Sequence, residues 1–505
     1  MSKIRKLIAL ILCGSSLLGC TACGGGKQQT GGSGVIQISC WEAGWGSEWL
    51  YAMAERFEDL NPQYTVEIDA SSADGSIKNL LPVPDNNPYE VIFGGNSDPT
   101  LYSSYANLND VMTSKYKDEA KTIEEKIGKE YCEVLKNREG DYDRLFFGTG
   151  YYGIIYNGDI FEAHDYEVPK TTNEMVALIE TMKVDEVVPF IHFVNGGYWH
   201  GMLWTWAMQY VGHEEFYEMC KAPTLESLTD DENGISQALD VIYQMVGDKD
   251  NYMQGSSGFD FTTSQSLFLA PSSRSGKEIA MMVNGSWLEN EMKNSEDELN
   301  QNMLIMKTPV LSSIIGKCST IKDDETLAKV IEAVDRGKTS FAGISSEDFE
   351  LIKKARLVEV SNADGNQICV PYYSDNIEGA KDFVRFFYSD EGLKIWAEKT
   401  QIMPLANFDD ASIKIDTSTF SSFEKSQIEF AKKSRPVCEG YTNARHQIFI
   451  SGGASLTAGF NNAGYVSSMM NYPPKTSAEI WSGIKTNIQE NWAGYWANAG
   501  LELPQ

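Results

Sequence analysis

The stretch Gly148–Asn157 reads GTGYYGIIYN, and its first six residues satisfy the GxGxxG spacing that cradles a dinucleotide's pyrophosphate. That chemistry requires a helix N-terminus after the glycines, whose free N–H groups receive the phosphate. Here Ile154-Ile155-Tyr156 follow, a β-branched and aromatic run that favours a strand. The spacing is therefore not read as a phosphate site, and no cofactor is expected. The glycines need another explanation.

Other reactive side chains give no catalytic constellation. The five His, at 164, 192, 200, 213 and 446, form no HExxH and lie beside no Cys pair, which speaks against zinc. Gly-x-Ser-x-Gly is absent from the folded part. Asp364-Gly365-Asn366 and Asp230–Gly234 lack the alternating acids and closing Glu of a calcium loop and read as turns. The 71 Asp and Glu contain carboxylate pairs that no pattern singles out, so inventory leaves a glycoside hydrolase open. Of nine Cys, those at 13, 20 and 23 sit near the start. The rest, at 40, 132, 220, 318, 369 and 438, are scattered without a CxxC and are expected as buried small hydrophobes. One or two disulfides stay open for a chain outside the cell.

Aromatics are the distinctive resource. Trp41, Trp45 and Trp49 crowd one segment, Trp199, Trp204 and Trp206 lie within YWHGMLWTW, and Trp287 closes IAMMVNGSW. An indole offers its flat apolar face to the C–H side of a sugar ring, while nearby acids and amides take the hydroxyls. Trp41, Trp45 and Trp287 follow expected strands, where open α/β sheets bind ligands. With Trp199 they are the aromatic candidates, and Glu42 and Asn96, each directly after a strand, are the polar ones. Trp49, Trp204, Trp206 and Trp396 hold helix-like positions and are expected in the core.

These residues need elements to hold them. Val35–Ser39 reads as a strand. Ser47 is a candidate N-cap for a helix with Leu50, Met53, Ala54 and Phe57 on one face, stopped by Asn61-Pro62. Tyr64–Ile68 and Tyr89–Phe93 complete a strand–helix–strand pattern that suggests a parallel α/β sheet. Thr171-x-x-Glu174 forms a capping box ahead of Met175, Leu178, Ile179 and Met182, and Val188–Phe193 and Ile279–Val283 read as buried strands. Residues 377–399 read as two helices, 475–497 as a terminal amphipathic helix, and 322–360 as a charged helical insertion. The chain is expected to form two α/β bodies.

A formal charge of −29 argues against nucleic acid as a partner. At the N-terminus Lys3, Arg5 and Lys6 precede LIALILCGSSLLGC, a basic segment and an apolar run too short for a mature membrane span. Leu17-Leu18-Gly19-Cys20 resembles a bacterial lipobox, which implies removal of residues 1–19 and a lipid on Cys20. Residues 20–34, rich in Gly, Gln and Ser, then read as a flexible tether.

Four segments carry a family resemblance: ISCWEAGWGSEWLYAMAERFEDLNP, GTGYYGIIYNGDIFEAHDYEVPKTTNEM, KEIAMMVNGSWLENEM and AKDFVRFFYSDEGLKIWAEKTQIMP. Over most of 35–410 the chain resembles the extracellular solute-binding proteins of family 1, the sugar-binding subunits of bacterial ABC importers. The resemblance implies a two-lobed, periplasmic-binding-protein-like (type II) α/β fold with hinge strands and a central ligand cleft. Lobe 1 would comprise 35–150 and 310–400, with an insertion at 311–367, and lobe 2 would comprise 151–309 and 401–505. GTGYYGIIYN would be the first crossing, its glycines suited to hinge motion, with Tyr151 and Tyr152 at the cleft floor. Met306–Pro309 and Ile402–Pro404 would be later crossings. Trp287 would stack on sugar from lobe 2, and Trp41–Trp45 would contact it from lobe 1. The implied function is capture of a carbohydrate without catalysis and its delivery to permease subunits with a separate ATPase, consistent with the lack of a Walker motif. The implied location is the extracytoplasmic face of the cell membrane, through the lipid anchor. The other readings are a lipid-anchored glycoside hydrolase, or the same binding fold with a peptide or polyamine ligand.

Overall fold

The Val35–Ser39 run folds as β1 (Gly34–Cys40), with Ile36, Ile38, Ser39 and Cys40 fully buried. The computed structural model describes residues 34–71, 76–95, 99–137, 139–193, 197–270, 275–292, 302–402, 415–438, 446–454, 464–471 and 473–504. Within them follow β2 (Tyr64–Asp69), β3 (Val91–Gly94), β4 (Leu145–Phe146), β5 (Tyr152–Asn157) and β6 (Val188–Ile191). The later strands are β7 (Ile279–Gly285), β8 (Met303–Met306), β9 (Val358–Ser361), β10 (Gln367–Cys369) and β11 (Arg435–Cys438).

A five-stranded sheet has the order β2-β1-β3-β10-β4. β1 runs parallel to β2 and β3, as the strand–helix–strand pattern predicts, whereas β10 is antiparallel to both β3 and β4. The connecting helix Glu48–Leu60 buries Trp49, Leu50, Met53, Ala54 and Phe57, the stripe read from the sequence. Ser47 precedes that helix without capping it, because its hydroxyl donates to Glu42 Oε1 instead. Helices Ile377–Phe387 and Asp390–Thr400 close over the same face, with Ser389 capping the second through the Gly392 N–H.

A four-stranded sheet has the order β6-β7-β5-β8, with β6 parallel to β7 and β5 antiparallel to both its neighbours. All seven residues of β7 are buried, as expected of a strand covered on both faces. The Thr171–Glu174 capping box forms at the start of helix Thr172–Val184. Helix Trp199–Val211 is buried almost all round, and the terminal helix Ser477–Asn498 turns Ile480, Ile484 and Ile488 inward against helix Ile235–Val246. Cys40, Cys132, Cys220, Cys318 and Cys369 are buried, as expected of small hydrophobes. No helix among the described residues is long and apolar enough to cross a membrane.

Two segments join the five-stranded sheet to the rest of the fold and are hydrogen-bonded to each other. Phe147–Tyr151 links β4 to β5 of the four-stranded sheet, and Asn362–Asn366 links β9, which pairs in parallel with β11 in a separate two-stranded sheet, to β10. Phe147 N–H donates to Asn366 O at 2.9 Å, and Asn362 N–H donates to Gly150 O at 3.0 Å. The Asn362 side chain returns an acceptor to Gly150 N–H at 2.9 Å, and Tyr151 pairs with Ser361.

Met306–Pro309, expected as a crossing, leads from the end of β8 toward Val310, which bridges to Thr171, and contacts β9. Lys307 forms a 2.8 Å ion pair with the fully buried Glu359, which also accepts from Thr308 N–H and hydroxyl. The chain then runs into 311–357, which the resemblance had assigned to the first lobe. Its helices Asp324–Asp335 and Ser346–Leu357 share an apolar cluster of their own. Its polar anchors reach elements flanking the four-stranded sheet: Leu311 N–H to Gln209, Asn173 N–H to Ser312, and the Thr171 hydroxyl to Asp324 at 2.6 Å. Burial of Val310 and Leu311 keeps the chain there, and it returns to the five-stranded sheet only after β9. Of Ile402–Pro404, Ile402 is buried and the other two residues lie outside the described ones.

Candidate functional site

Trp45 ends the short turn Ala43–Trp45 beyond β1, and Trp287 stands directly beyond β7. The two indoles, one from each sheet, meet edge to face with centroids 6.4 Å apart. Trp45 also packs on Trp396 at 5.9 Å and donates its indole N–H to Asn366 Oδ1 at 2.8 Å. Trp287 meets Tyr152 at 5.6 Å and Tyr198 at 5.4 Å, both near perpendicular.

The glycines of GTGYYG now have a physical account. A Cβ on Gly148 would lie 3.0 Å from Trp396 Cζ2, one on Gly150 would lie 2.5 Å from Trp287 Cζ3, and one on Gly153 would lie 2.7 Å from Ile305 Cδ1. None of the three has a positive φ. Close approach of backbone to indole and aliphatic groups, rather than a special backbone conformation, is what demands glycine here.

The other sequence candidates separate. Tyr152 faces Trp287, but Tyr151, one residue earlier on the pleat, turns to Phe430 at 5.1 Å on the opposite side. Trp199 is 1% exposed and donates its N–H to His192 Nδ1 at 3.1 Å, inside the body of the four-stranded sheet. Burial drives His192 down to about 3, so it is held neutral. Trp41 is half-buried and Glu42 is exposed, at the edge of the Trp45 turn. Asn96 and Cys20 lie outside the described residues. The four tryptophans assigned to the core, Trp49, Trp204, Trp206 and Trp396, are buried.

Four residues that were not singled out complete the wall around Trp287. Phe193, Tyr198 and Phe261 are half-buried and meet pairwise: Phe193–Phe261 at 5.2 Å, Phe193–Tyr198 at 5.9 Å and Tyr198–Phe261 at 6.1 Å. Glu291 follows Trp287 by one helical turn and accepts from Gln265 Nε2 at 3.1 Å. Burial pushes the Glu291 carboxyl up to about 7. The i, i+4 step from Trp287 was the available signal for Glu291, and Tyr198 begins the quoted YWHGMLWTW run. Phe193 and Phe261 had no local signal, because only the fold brings them together. Such a wall can hold an apolar ring face beside a few polar groups. Among the described residues, no group of three or more His, Cys, Asp or Glu is placed to hold a metal ion.

The sequence model of the family described as bacterial extracellular solute-binding protein matches residues 43–394, well over half the chain. No curated protein sequence gives a significant match. Among solved structures, the bacterial solute receptor AcbH, described as exclusively preferring β-D-galactopyranose, has a TM-score of 0.60 at 14% identity, covering 91% of this chain and 99% of its own. Unliganded RafE from Streptococcus pneumoniae has a TM-score of 0.56 at 15% identity, covering 91% and 99%. Lmo0181 from Listeria monocytogenes, an ABC substrate-binding protein solved with cycloalternan, has 0.57 at 14%, covering 93% and 100%. At these identities the likeness is one of fold, the two-lobed α/β architecture of solute receptors.

Proposed function

Because the chain belongs to the family of bacterial extracellular solute-binding proteins, we propose that it captures a neutral carbohydrate between its two sheets and passes it to an ABC permease. One observation carries this reading. Trp45 and Trp287, supplied by different sheets, meet edge to face beside the paired crossing segments, and the half-buried rings of Tyr198, Phe193 and Phe261 extend the Trp287 wall. Aromatic faces beside the Glu291 carboxyl and the Gln265 amide suit sugar C–H and hydroxyl groups. Support also comes from RafE, solved with raffinose, Lmo0181, solved with cycloalternan, and a chitin oligosaccharide binding protein of the same fold.

The mechanism is capture. Solute settles on one wall, the sheets turn about the crossing segments, and the second wall covers it. No bond is made or broken. Trp45, Tyr152 and Trp287 are the proposed ligand contacts among the sequence candidates, with Trp41 and Glu42 at the rim. The family places the protein outside the cytoplasm, and we propose that a lipid on Cys20 tethers it to the membrane.

A thermal-shift screen against neutral oligosaccharides tests this reading. A true ligand at about 100 times its Kd adds about 2.7 kcal/mol to the native state and raises Tm. Trp287→Ala should abolish that rise while the free protein still unfolds cooperatively. A wild-type protein that releases reducing ends from the same sugars would overturn capture.

A further inference from the structure

The helix Leu288–Met292 follows Trp287 directly and packs on the turn Ala43–Trp45 of the other sheet. A Cβ on Gly44 would lie 3.1 Å from Glu291 Cγ and 3.1 Å from Trp287 Cβ, so this turn rests on one indole and one carboxylic acid. Glu291 donates its N–H to Trp287 O at 3.0 Å, which sets both side chains on one helix face. Gln265, 1% exposed, donates to Glu291 Oε2 at 3.1 Å and leaves Oε1 for a second partner.

The groups around the acid do little to favour its charged form. The Tyr198 hydroxyl is itself pushed up by burial and by Glu291. The helix Phe261–Leu269 faces it with neutral Gln265, and its N-cap Asp260 is bound to the Thr263 N–H. The turn of the other sheet is flanked by Glu42, bound to Ser47, and by Glu48. On its own helix, Glu289 accepts from Ser421 at 2.7 Å. None of these is a cation, and burial raises Glu291 to about 7.

We propose that Glu291, oriented by Gln265, is a ligand contact that donates a hydrogen bond, as a neutral acid, to a carbohydrate oxygen seated against Trp287 and Tyr198. The proposal rests on the carbohydrate reading above. Its consequence is capture that is stronger in acid than in base. The proton that makes Glu291 a donor is present below its raised value and is lost as pH climbs through about 7. Above that, a poorly solvated carboxylate meets the ligand with no hydrogen to offer.

Calorimetric titration of the full chain with raffinose, cycloalternan and a chitin oligosaccharide, at acid and alkaline pH, tests this. Wild-type affinity should fall roughly tenfold between about pH 6 and about pH 8.5. Glu291→Gln keeps a donor and should bind about equally at both, whereas Glu291→Ala should be weaker at both. A Glu291→Gln protein as pH-sensitive as wild type, or a Glu291→Ala protein that binds like wild type, overturns the inference alone. Silence of the wild type toward all three sugars overturns the carbohydrate reading and this inference together. A second readout needs no sugar: the Glu291 carboxyl carbon, assigned by its loss in Glu291→Gln, should titrate near 7 by NMR. A midpoint near the ordinary 4.5 would refute the proposal even if sugars bind.

Discussion

On the side of the five-stranded sheet, Trp49 and Trp396 lie 4.7 Å apart at 1% and 0% exposure, packed round by Phe147 and Phe387, and of these three tryptophans Trp45 reaches the other sheet. On the side of the four-stranded sheet, Trp287 grades outward through Tyr198, Phe193 and Phe261, none of them sealed, to the Glu291 carboxyl. Both sides are aromatic. The first is a hydrophobic core that exposes one ring to its neighbour, and the second is a surface with a core behind it. What a ring does is decided by what covers its faces, so residue type alone does not mark a binding side chain.

Breaking the sealed side should cost most. Trp396→Ala removes a fully sealed indole from that cluster and should lower unfolding free energy by about 3–5 kcal/mol in urea melts. A loss below about 1 kcal/mol would mean that the first wall is not a core. Gly150→Val places a side chain where the Trp287 ring and Asn362 Oδ1 already sit, and should cost about 1–3 kcal/mol. Because it displaces Trp287, the same variant should also change near-ultraviolet circular dichroism.

Trp199 belongs to the sealed class despite its candidacy, and its partner supplies a pH test. His192 has a folded value near 3, below its ordinary 6.5, so the unfolded chain binds the extra proton on acidification. Stability from this group is therefore full above 6.5 and declines as pH falls toward 3, by about 1.4 kcal/mol at one unit below 6.5. His192→Gln should flatten that part of the stability profile. The smallest effect is expected on the open side. Tyr198→Ala should weaken sugar binding by roughly fivefold, about 1 kcal/mol, read by calorimetry. Equal losses of stability for Tyr198→Ala and Trp396→Ala would erase the distinction between the walls.

Much of the scaffold was legible because local rules set it. The Leu50–Phe57 stripe and the Thr171–Glu174 box each depend on residues within a few positions of one another. What was not legible depends on distant partners. Asn362–Asn366 becomes a crossing because it bonds to Phe147 and Gly150, over 200 residues away. Met306–Pro309 is tied to β9 through Glu359, which takes Lys307 and Thr308 from some fifty residues away. Within the candidate site, Trp45 and Trp287 could be read from their places after strands, whereas Tyr151 and Tyr152 differ only by the side of the pleat they occupy. The glycine spacing GTGYYG imitated a phosphate motif because packing against an indole and admitting a pyrophosphate make the same steric demand for a missing Cβ.

The outbound and returning chains are zipped together at Gly150–Asn362 and Phe147–Asn366, so neither can bend alone. A change of angle between the sheets then turns a few peptide planes about one shared line, as two leaves turn on a single pin. On the proposed capture mechanism, the residence time of a trapped solute becomes partly a property of that seam, adjustable at Asn362.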